Sequence, residues 1–391
     1  MLKGRKVTVL GAGVAGLSVA RALALRGAEV TVLEQAPEIR EVGAGLQISP
    51  NGARVISALG LGAALGKAGQ RAEAVELRDG ESGAVVLRMD LSRAGTGNDF
   101  LFLHRADLID VLQEGARDAG VTIRLLKQVD EVRLGAHPPR LVTTLGEEFE
   151  AEILIGADGL HSKVRAALNG TVAPFFTHQV AWRATLPAEP GIAPVAQVFM
   201  GPGRHLVTYP LRGGRLRNIV AVEERRRWAE ESWSLTDDPL ALRIAFEEFV
   251  PEVRGWLDRI ERPNLWGLFR HPVAARWHGH GAAILGDAAH PTLPFLAQGA
   301  NMALEDAWVL AETLDAGAGP ETAFADYQRA REGRCRRIVD AANANARNYH
   351  LSGLRRDVAH LGLRALGKFA PDRVLGRFEW LYGHDVVGAP R

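Results

Sequence analysis

Gly11, Gly13, Gly16 and Glu34 have the types and spacing needed to hold a dinucleotide. They lie within Val7-Thr8-Val9-Leu10-Gly11-Ala12-Gly13-Val14-Ala15-Gly16 and its continuation Glu29-Val30-Thr31-Val32-Leu33-Glu34. Gly11 suits a tight turn, Gly13 lets the backbone approach a pyrophosphate, and Gly16 lets a helix pack closely on the preceding strand. That helix would turn unpaired N–H groups and a positive dipole end toward the phosphates. The carboxylate of Glu34, closing the next strand, would accept hydrogen bonds from an adenosine ribose and repel a 2′-phosphate.

A second constellation separates the possible dinucleotides. Gly286-Asp287 puts an acid after the apolar run Ala282–Leu285, where its carboxylate could bind a polyol such as the ribityl chain of a flavin. The helical pattern that starts near Gly299-Ala300-Asn301 points another N-terminus into the same crevice. There it would stabilise the anion of a reduced flavin. An NAD site has no use for this second element, so the pair favours FAD.

The elements that must position these groups are legible in the hydrophobic pattern. Lys6–Leu10 reads as a strand buried in a parallel sheet; Leu17, Ala20, Leu23 and Ala24 give the following helix an apolar stripe, with Gly27 expected at its C-cap. Between about Gly170 and Leu268, Thr177–Leu186, Val195–Met200, His205–Leu211 and Asn218–Val222 read as strands of a second, largely antiparallel sheet. From about Glu321 the pattern is helical, with Phe324, Tyr327, Ile338, Trp380 and Tyr382 as apolar anchors. The expected α/β architecture is a Rossmann-like FAD-binding domain over 1–75, 100–170 and 272–320. A mostly antiparallel β-sheet substrate domain is inserted over 76–99 and 171–271, and a C-terminal helical segment covers 321–391.

Composition narrows the function. A net charge of +1 offers no domain-scale basic excess for nucleic acid, and no apolar run reaches the length of a membrane span. The local excess Arg329, Arg331, Arg334, Arg336 and Arg337 reads as the solvated face of a helix. With Cys335 as the single cysteine, no internal disulfide, cysteine metal cluster or dithiol pair can form, so redox chemistry needs a bound cofactor; no metal site is expected. The N-terminus also has the layout of a secretory signal, with Lys3, Arg5 and Lys6 before Val7–Val19 and Ala22-Leu23-Ala24. Turn glycines inside the apolar stretch, and the loss of the Glu34 site on cleavage, favour the dinucleotide reading and a cytoplasmic protein, monomeric or homodimeric.

At these residues the sequence resembles the single-component flavoprotein aromatic hydroxylases of the salicylate hydroxylase and 3-hydroxybenzoate 6-hydroxylase type, whose fold is that of p-hydroxybenzoate hydroxylase. The resemblance runs over nearly the whole chain. It is carried by the N-terminal fingerprint, Gly43-Ala44-Gly45-Leu46-Gln47-Ile48-Ser49-Pro50-Asn51, His104-Arg105-Ala106-Asp107-Leu108, Gly156-Ala157-Asp158-Gly159 through Arg165, Gly286-Asp287-Ala288-Ala289-His290-Pro291 through Glu305-Asp306-Ala307, and Trp380-Leu381-Tyr382-Gly383-His384-Asp385. It implies that Glu34 holds the ribose, Arg105 the diphosphate or ribityl region and Asp287 the ribityl chain, with Asp158 in support. Gly299, Ala300 and Asn301 would face the isoalloxazine and Pro294 its reactive side. Ala15, Gln35, Gly45, Val129 and Gly286 complete the expected FAD contacts, Arg165 is a further candidate, and His290 is expected to be structural.

The same resemblance implies reduction of FAD by NADH or NADPH, reaction with O₂ to a flavin C4a-hydroperoxide, and hydroxylation of a small aromatic substrate. That oxidant is an electrophile, so a phenol must be drawn toward phenolate by a base in a dry site. On His205–Tyr209, strand alternation puts His205, Val207 and Tyr209 on one face, with His205 and Tyr209 about 13 Å apart, enough to bracket a small ring. His205 is the expected base and Tyr209 a substrate ligand, matching the resemblance. Arg183 could pair with a substrate carboxylate, and Gln47, Leu46, Gln298 and Phe295 are expected near the ring. Phe295-Leu296-Ala297 stands where relatives carry polar residues, which makes the pocket more apolar and weighs against a carboxylated substrate. The alternatives are a flavin epoxidase or quinone-pathway hydroxylase acting on a bulkier apolar molecule, and a flavin protein that signals by redox-dependent shape without turnover. A plain NAD-linked dehydrogenase leaves Gly286-Asp287 unexplained.

Overall fold

The run Lys6–Leu10 lies in the interior of a six-stranded sheet covered on both faces, where Val7, Val9 and Leu10 are buried. The computed structural model describes residues 2–39, 45–93, 99–135, 138–226, 236–317 and 319–388. Across this sheet the strands run His278–Gly279, Ala282–Ile284, Ile153–Gly156, Lys6–Leu10, Glu29–Leu33 and Thr122–Arg124. All neighbours are parallel except the edge strand His278–Gly279. The helix Val14–Ala24 follows the first strand and buries Leu17, Val19, Ala20 and Leu23. It stops at Ala24, a turn before Gly27, which takes the left-handed conformation (φ 91°) that brings the chain back to the sheet.

A seven-stranded sheet forms the second layer. Its order is Asn264–Arg270, Phe175–Pro187, Leu216–Glu224, Arg204–Leu211, Val195–Gly201, Ala74–Asp79 and Val85–Asp90. Every pairing is antiparallel save that of Val195–Gly201 with Ala74–Asp79. Its far face packs on the short helices Pro239–Ala245 and Pro251–Asp258 through Trp182, Phe199, Phe246 and Trp256. The near face carries Val207 and Tyr209 and looks toward the parallel sheet across a cleft. The small antiparallel ladder Gly45–Ile48, Leu101–His104 and Gln70–Arg71 lies between the layers.

Two helices hold the layers in place. Gly299–Asp315 packs against Val14–Ala24, and Pro320–Tyr349, 30 residues long, packs back on Gly299–Asp315. Their joint is ionic. The Arg331 guanidinium donates from Nη2 to Glu305 Oε2 at 2.6 Å and from Nε to Asp306 Oδ1 at 2.8 Å, and all three side chains are buried. Arg334 adds a contact to Glu305 Oε1 at 2.8 Å. This overturns the reading of the arginine run as one solvated face. Arg331 falls in the buried stripe with Phe324, Tyr327, Cys335 and Ile338, while Arg329 and Arg336 do point outward to Asp326 and Glu332. No described helix is long and apolar enough to cross a membrane.

Burial raises the cost of ionising Glu305 and Asp306, but the facing cations outweigh it: Arg331 and Arg334 hold Glu305 down to about 2, and His290 and Arg331 do the same for Asp306. A folded-state value below the unfolded one adds stability above the unfolded value and loses it as pH falls through the folded value. The two carboxylates therefore keep their contribution throughout the neutral range and lose it only as pH drops toward 2. Removing the cation leaves Glu305 to Arg334 alone and Asp306 to His290 alone, so two buried carboxylates each lose a charged partner. Arg331→Met is expected to lower unfolding stability at neutral pH by about 3–5 kcal/mol in a urea titration. A loss below about 1 kcal/mol would show that the cluster does not depend on this residue.

Candidate active site

The cleft between the layers is built first by glycines. At Gly16 an added Cβ would sit 1.9 Å from the Gly11 carbonyl oxygen, and at Gly11 2.5 Å from that of Ala157, so neither position tolerates a side chain. Gly13 differs, since its missing Cβ would meet nothing within 4 Å and the residue faces the cleft beside Val14 and Ala15. That is an open approach to backbone N–H groups at a helix N-terminus, as a pyrophosphate requires. Beside it, Glu34 Oε2 accepts from the Ala12 N–H at 2.7 Å and Oε1 from the Ala36 N–H at 2.9 Å. These bonds aim the carboxylate along the glycine turn. Gln35 follows it. Val129 is buried, two residues from Lys127, whose N–H donates to the Glu34 carbonyl.

Across the cleft, the chain after Ala282–Ile284 turns at Gly286, which has φ 60° and lies against Ala15. The Gly286 N–H donates to Asp306 Oδ2 at 3.1 Å, and the His290 Nε2 meets the same oxygen at 2.5 Å. Asp306 thus clamps the loop that presents Asp287. The Asp287 carboxylate opens into the cleft and has no hydrogen-bond partner among the described residues. The surrounding protein raises its pKa, with His290 and Arg105 offsetting part of the effect. Arg105, Pro294, Gly299 and Ala300 line the same space, and Gly299 opens its helix there. An acceptor with no protein partner, an open glycine turn and two helix N-termini converge on one cleft, and together they fit an FAD molecule.

Three expected residues act through their neighbours. Asp158 caps the helix Lys163–Asn169, accepting from Ser162 Oγ at 2.5 Å and from the Lys163 N–H at 2.7 Å, and so fixes the loop whose Ala157 and Gly159 reach the cleft. Arg165 donates to the carbonyls of Pro272, Ala288 and Ala289, tying down the far side of the Gly286 loop. Asn301 is fully buried: its Oδ1 accepts from the Ser49 N–H at 3.0 Å and its Nδ2 donates to the carbonyls of Gln47 and Ala297. It lies in the first turn of Gly299–Asp315, and its side chain is spent on holding Ser49, Gln47 and Ala297. Gln298, expected near the ring, turns inward instead and bonds Ser49 Oγ and Asn51. Gly43 and Ala44 lie outside the described residues.

The opposite wall of the cleft is formed by the seven-stranded sheet. His205, Val207, Tyr209 and Arg183 face the cleft opposite Leu46, Gln47 and Phe295. The His205 ring lies edge-on to Phe295, with centroids 5.0 Å apart, and its Nε2 has no hydrogen-bond partner among the described residues. Burial, with the His350 ring second, pushes its pKa well below the usual histidine range, so the ring is neutral at pH 7. The Arg183 guanidinium stacks on Trp266 at 4.4 Å. Burial pulls its pKa down to about 10, which leaves it charged at neutral pH. Burial raises the Tyr209 hydroxyl, Arg183 offsetting part of the rise, so Tyr209 stays a hydrogen-bond donor.

Sequence reasoning missed Asn218 and the fit at Gly45. The Gly45 N–H donates to Asn218 Oδ1 at 2.8 Å, and a Cβ on Gly45 would lie 2.7 Å from Tyr209 Cε2. The Tyr209 ring cannot easily yield, being buried and stacked on Phe102 at 5.0 Å. Gly45→Ala should therefore cost about 1–3 kcal/mol of stability through overpacking and displace Tyr209, read as a lowered unfolding midpoint with weakened aromatic-ligand binding. Binding equal to wild type would show that Tyr209 is not held by this contact. Asp287→Ala should weaken FAD binding roughly tenfold or more in a fluorescence titration; an unchanged dissociation constant would remove Asp287 from the cofactor site.

Comparison with known proteins agrees with this geometry. A model of the FAD binding domain family matches residues 5–342. The chain is 35% identical over 392 residues to a 3-hydroxybenzoate 6-hydroxylase of Polaromonas naphthalenivorans, covering 97% of this chain and 96% of that one. It is 37% identical over 359 residues to a 3-amino-4-hydroxybenzoate 2-monooxygenase of Streptomyces cremeus, covering 88% of each. Among solved structures, Klebsiella pneumoniae HpxO complexed with FAD and uric acid superposes with a TM-score of 0.84 at 25% identity, over 99% of this chain and 97% of that one. A salicylate hydroxylase substrate complex shares the fold, with a TM-score of 0.82 at 24% identity over 98% and 96% of the two chains. The family match over most of the chain, and relatives of this identity along its length, show that the protein belongs to the FAD-dependent aromatic monooxygenases.

Proposed function

We propose that this enzyme hydroxylates a small phenol bearing an anionic substituent, a carboxylate foremost, with His205 as the base for the phenol. One observation carries the reading: Arg183 brings a charged guanidinium to the cleft, pairs with no acidic side chain among the described residues, and shares that cleft with His205, whose buried Nε2 has no hydrogen-bond partner among them. A partly buried cation without a counter-ion is costly, so an anionic ligand group is the natural occupant. Tyr209, close enough to couple electrostatically to Arg183, adds a donor to the same end of the ring. Arg183 thus supports a carboxylated substrate although Phe295-Leu296-Ala297 makes the rest of the pocket apolar. The two Streptomyces and Polaromonas relatives are named for hydroxybenzoate substrates, which fits this chemistry.

The chemistry that FAD would supply here when bound, after reduction by NADH or NADPH, is the transfer of one oxygen atom of O₂ to the ring. The chain's own residues prepare that ring. A phenol ionises near pH 10 in water, so at neutral pH it needs a base to become the electron-rich phenolate. His205 is neutral and can take the phenol proton on Nε2, while Arg183 and Tyr209 hold the opposite edge. Phe295, Val207, Val220 and Val222 keep the site apolar and poor in water. In this reading Gly11, Gly13, Gly16 and Glu34 hold the adenosine diphosphate half of FAD, and Arg105, Asp287 and Gly299–Asn301 hold the flavin half. Because NAD(P)H is the donor, we place the enzyme in the cytoplasm.

His205→Ala should retain FAD and lower hydroxylation at pH 7, with partial recovery as pH rises and solvent ionises the phenol. Turnover equal to wild type would remove the base assignment. Arg183→Gln should raise the KM for hydroxybenzoates by about tenfold or more and leave that of uncharged phenols nearly unchanged. Equal effects on both substrate classes would place the anion elsewhere.

A further inference from the structure

Behind His205 a line of hydrogen bonds leaves the cleft. His205 Nδ1 lies 2.7 Å from His350 Nε2, and His350 Nδ1 lies 2.7 Å from Glu224 Oε1. Both rings are buried, whereas the Glu224 side chain is half exposed and opens on a surface hollow lined by Thr177, His178, Arg225 and Arg226. We propose that His350 and Glu224 form a proton exit from His205 to solvent, so that the phenol is ionised in a closed cleft and its proton leaves by the back of the sheet. The proposal rests on His205 being the base for the phenol.

The donor and acceptor roles follow from the far end. A carboxylate only accepts, so His350 Nδ1 carries a hydrogen and donates to Glu224. In a neutral His350 the Nε2 is then an acceptor, and His205 must donate to it from Nδ1. That fixes the His205 tautomer with its lone pair on Nε2, the atom left without a partner. The transfer is a concerted shift. The phenol O–H breaks as His205 Nε2–H forms, the His205 Nδ1 proton moves to His350 Nε2, the His350 Nδ1 proton moves to Glu224 Oε1, and Glu224 passes it to water. Each ring exchanges one N–H for another and ends neutral. A proton returning along the same line resets the chain.

The surroundings suit neutral carriers. Burial lowers the pKa of both histidines, His205 further lowered by His350, and Arg204 lowers that of His350 while Glu224 raises it. Around His205 stand the rings of Phe295, Tyr349 and His350. His350 sits just after Tyr349 at the C-terminal end of the 30-residue helix, where the dipole favours a proton in passage.

The test is proton release on ligand binding. Oxidised holoenzyme is mixed with 3-hydroxybenzoate in weak buffer holding a pH indicator, and a stopped-flow trace is compared for wild type, Glu224→Gln and His350→Leu. Wild type should release a proton as the ligand binds. Both variants should slow that release tenfold or more with ligand dissociation constants within twofold of wild type, and Glu224→Asp should restore the rate. Release at wild-type speed in Glu224→Gln and His350→Leu would overturn the relay and leave the base assignment standing. Tight binding without proton release in wild type would overturn the relay, and a bound ligand whose ultraviolet spectrum is that of the neutral phenol would overturn the base assignment with it. If His350→Leu unfolds, Glu224→Gln, altered only at a half-exposed position, decides the matter alone.

Discussion

The buried contact of Arg331 with Glu305 and Asp306 is the constraint on which the rest of the molecule turns. One guanidinium fixes two consecutive carboxylates on the helix Gly299–Asp315, and each carboxylate then does a second task. Asp306 Oδ2 accepts from the Gly286 N–H and from His290, which sets the loop carrying Asp287. Glu305 Oε1 accepts from Asn51 Nδ2 at 2.6 Å, and through Gln298 and Ser49 this holds the start of the helix Pro50–Ala58 beside the ladder strand Gly45–Ile48. The flavin side of the cleft is thereby held from within the protein. Asp287 stays open to the cleft because the bonds that support its loop, from Gly286 and His290 to Asp306, lie behind it.

The same long helix links this support to the chemistry on the other side. Arg331 anchors its middle, and its C-terminal end delivers Tyr349 and His350 against His205. In the proposed mechanism, the base on the inserted sheet thus takes its tautomer from a residue more than a hundred positions away. The cleft holds a neutral acceptor at His205 and a cation at Arg183, and between them Val207, Val220 and Val222 keep the wall apolar. Such a site favours a ring with an ionisable hydroxyl at one edge and a fixed negative charge at the other.

Much of this was readable from spacing. The glycine turn, Glu34 and the parallel strands Lys6–Leu10 and Glu29–Leu33 follow from local pattern, because apolar runs and turn glycines act within a few residues. Alternation along Arg204–Leu211 correctly placed His205, Val207 and Tyr209 on one cleft-facing side. The arginine run was misread because charge was weighed above period. Phe324, Tyr327, Arg331, Cys335 and Ile338 recur at three- and four-residue steps, so Arg331 lies on the buried face, and Glu305-Asp306 likewise interrupts an apolar stripe. His350, Glu224 and Asn218 gave no local signal, since their roles exist only once the sheet and the long helix meet.

The central claim is that this cleft holds its substrate as a phenolate, with charge balanced by Arg183 and the proton removed through His205. The ionisation state of the bound ligand, read from the ultraviolet difference spectrum of 3-hydroxybenzoate on oxidised holoenzyme between pH 6 and about 10, tests it directly. The account predicts a phenolate spectrum on the enzyme well below the pH at which the free compound ionises. A bound ligand that stays a neutral phenol up to its solution value would contradict it.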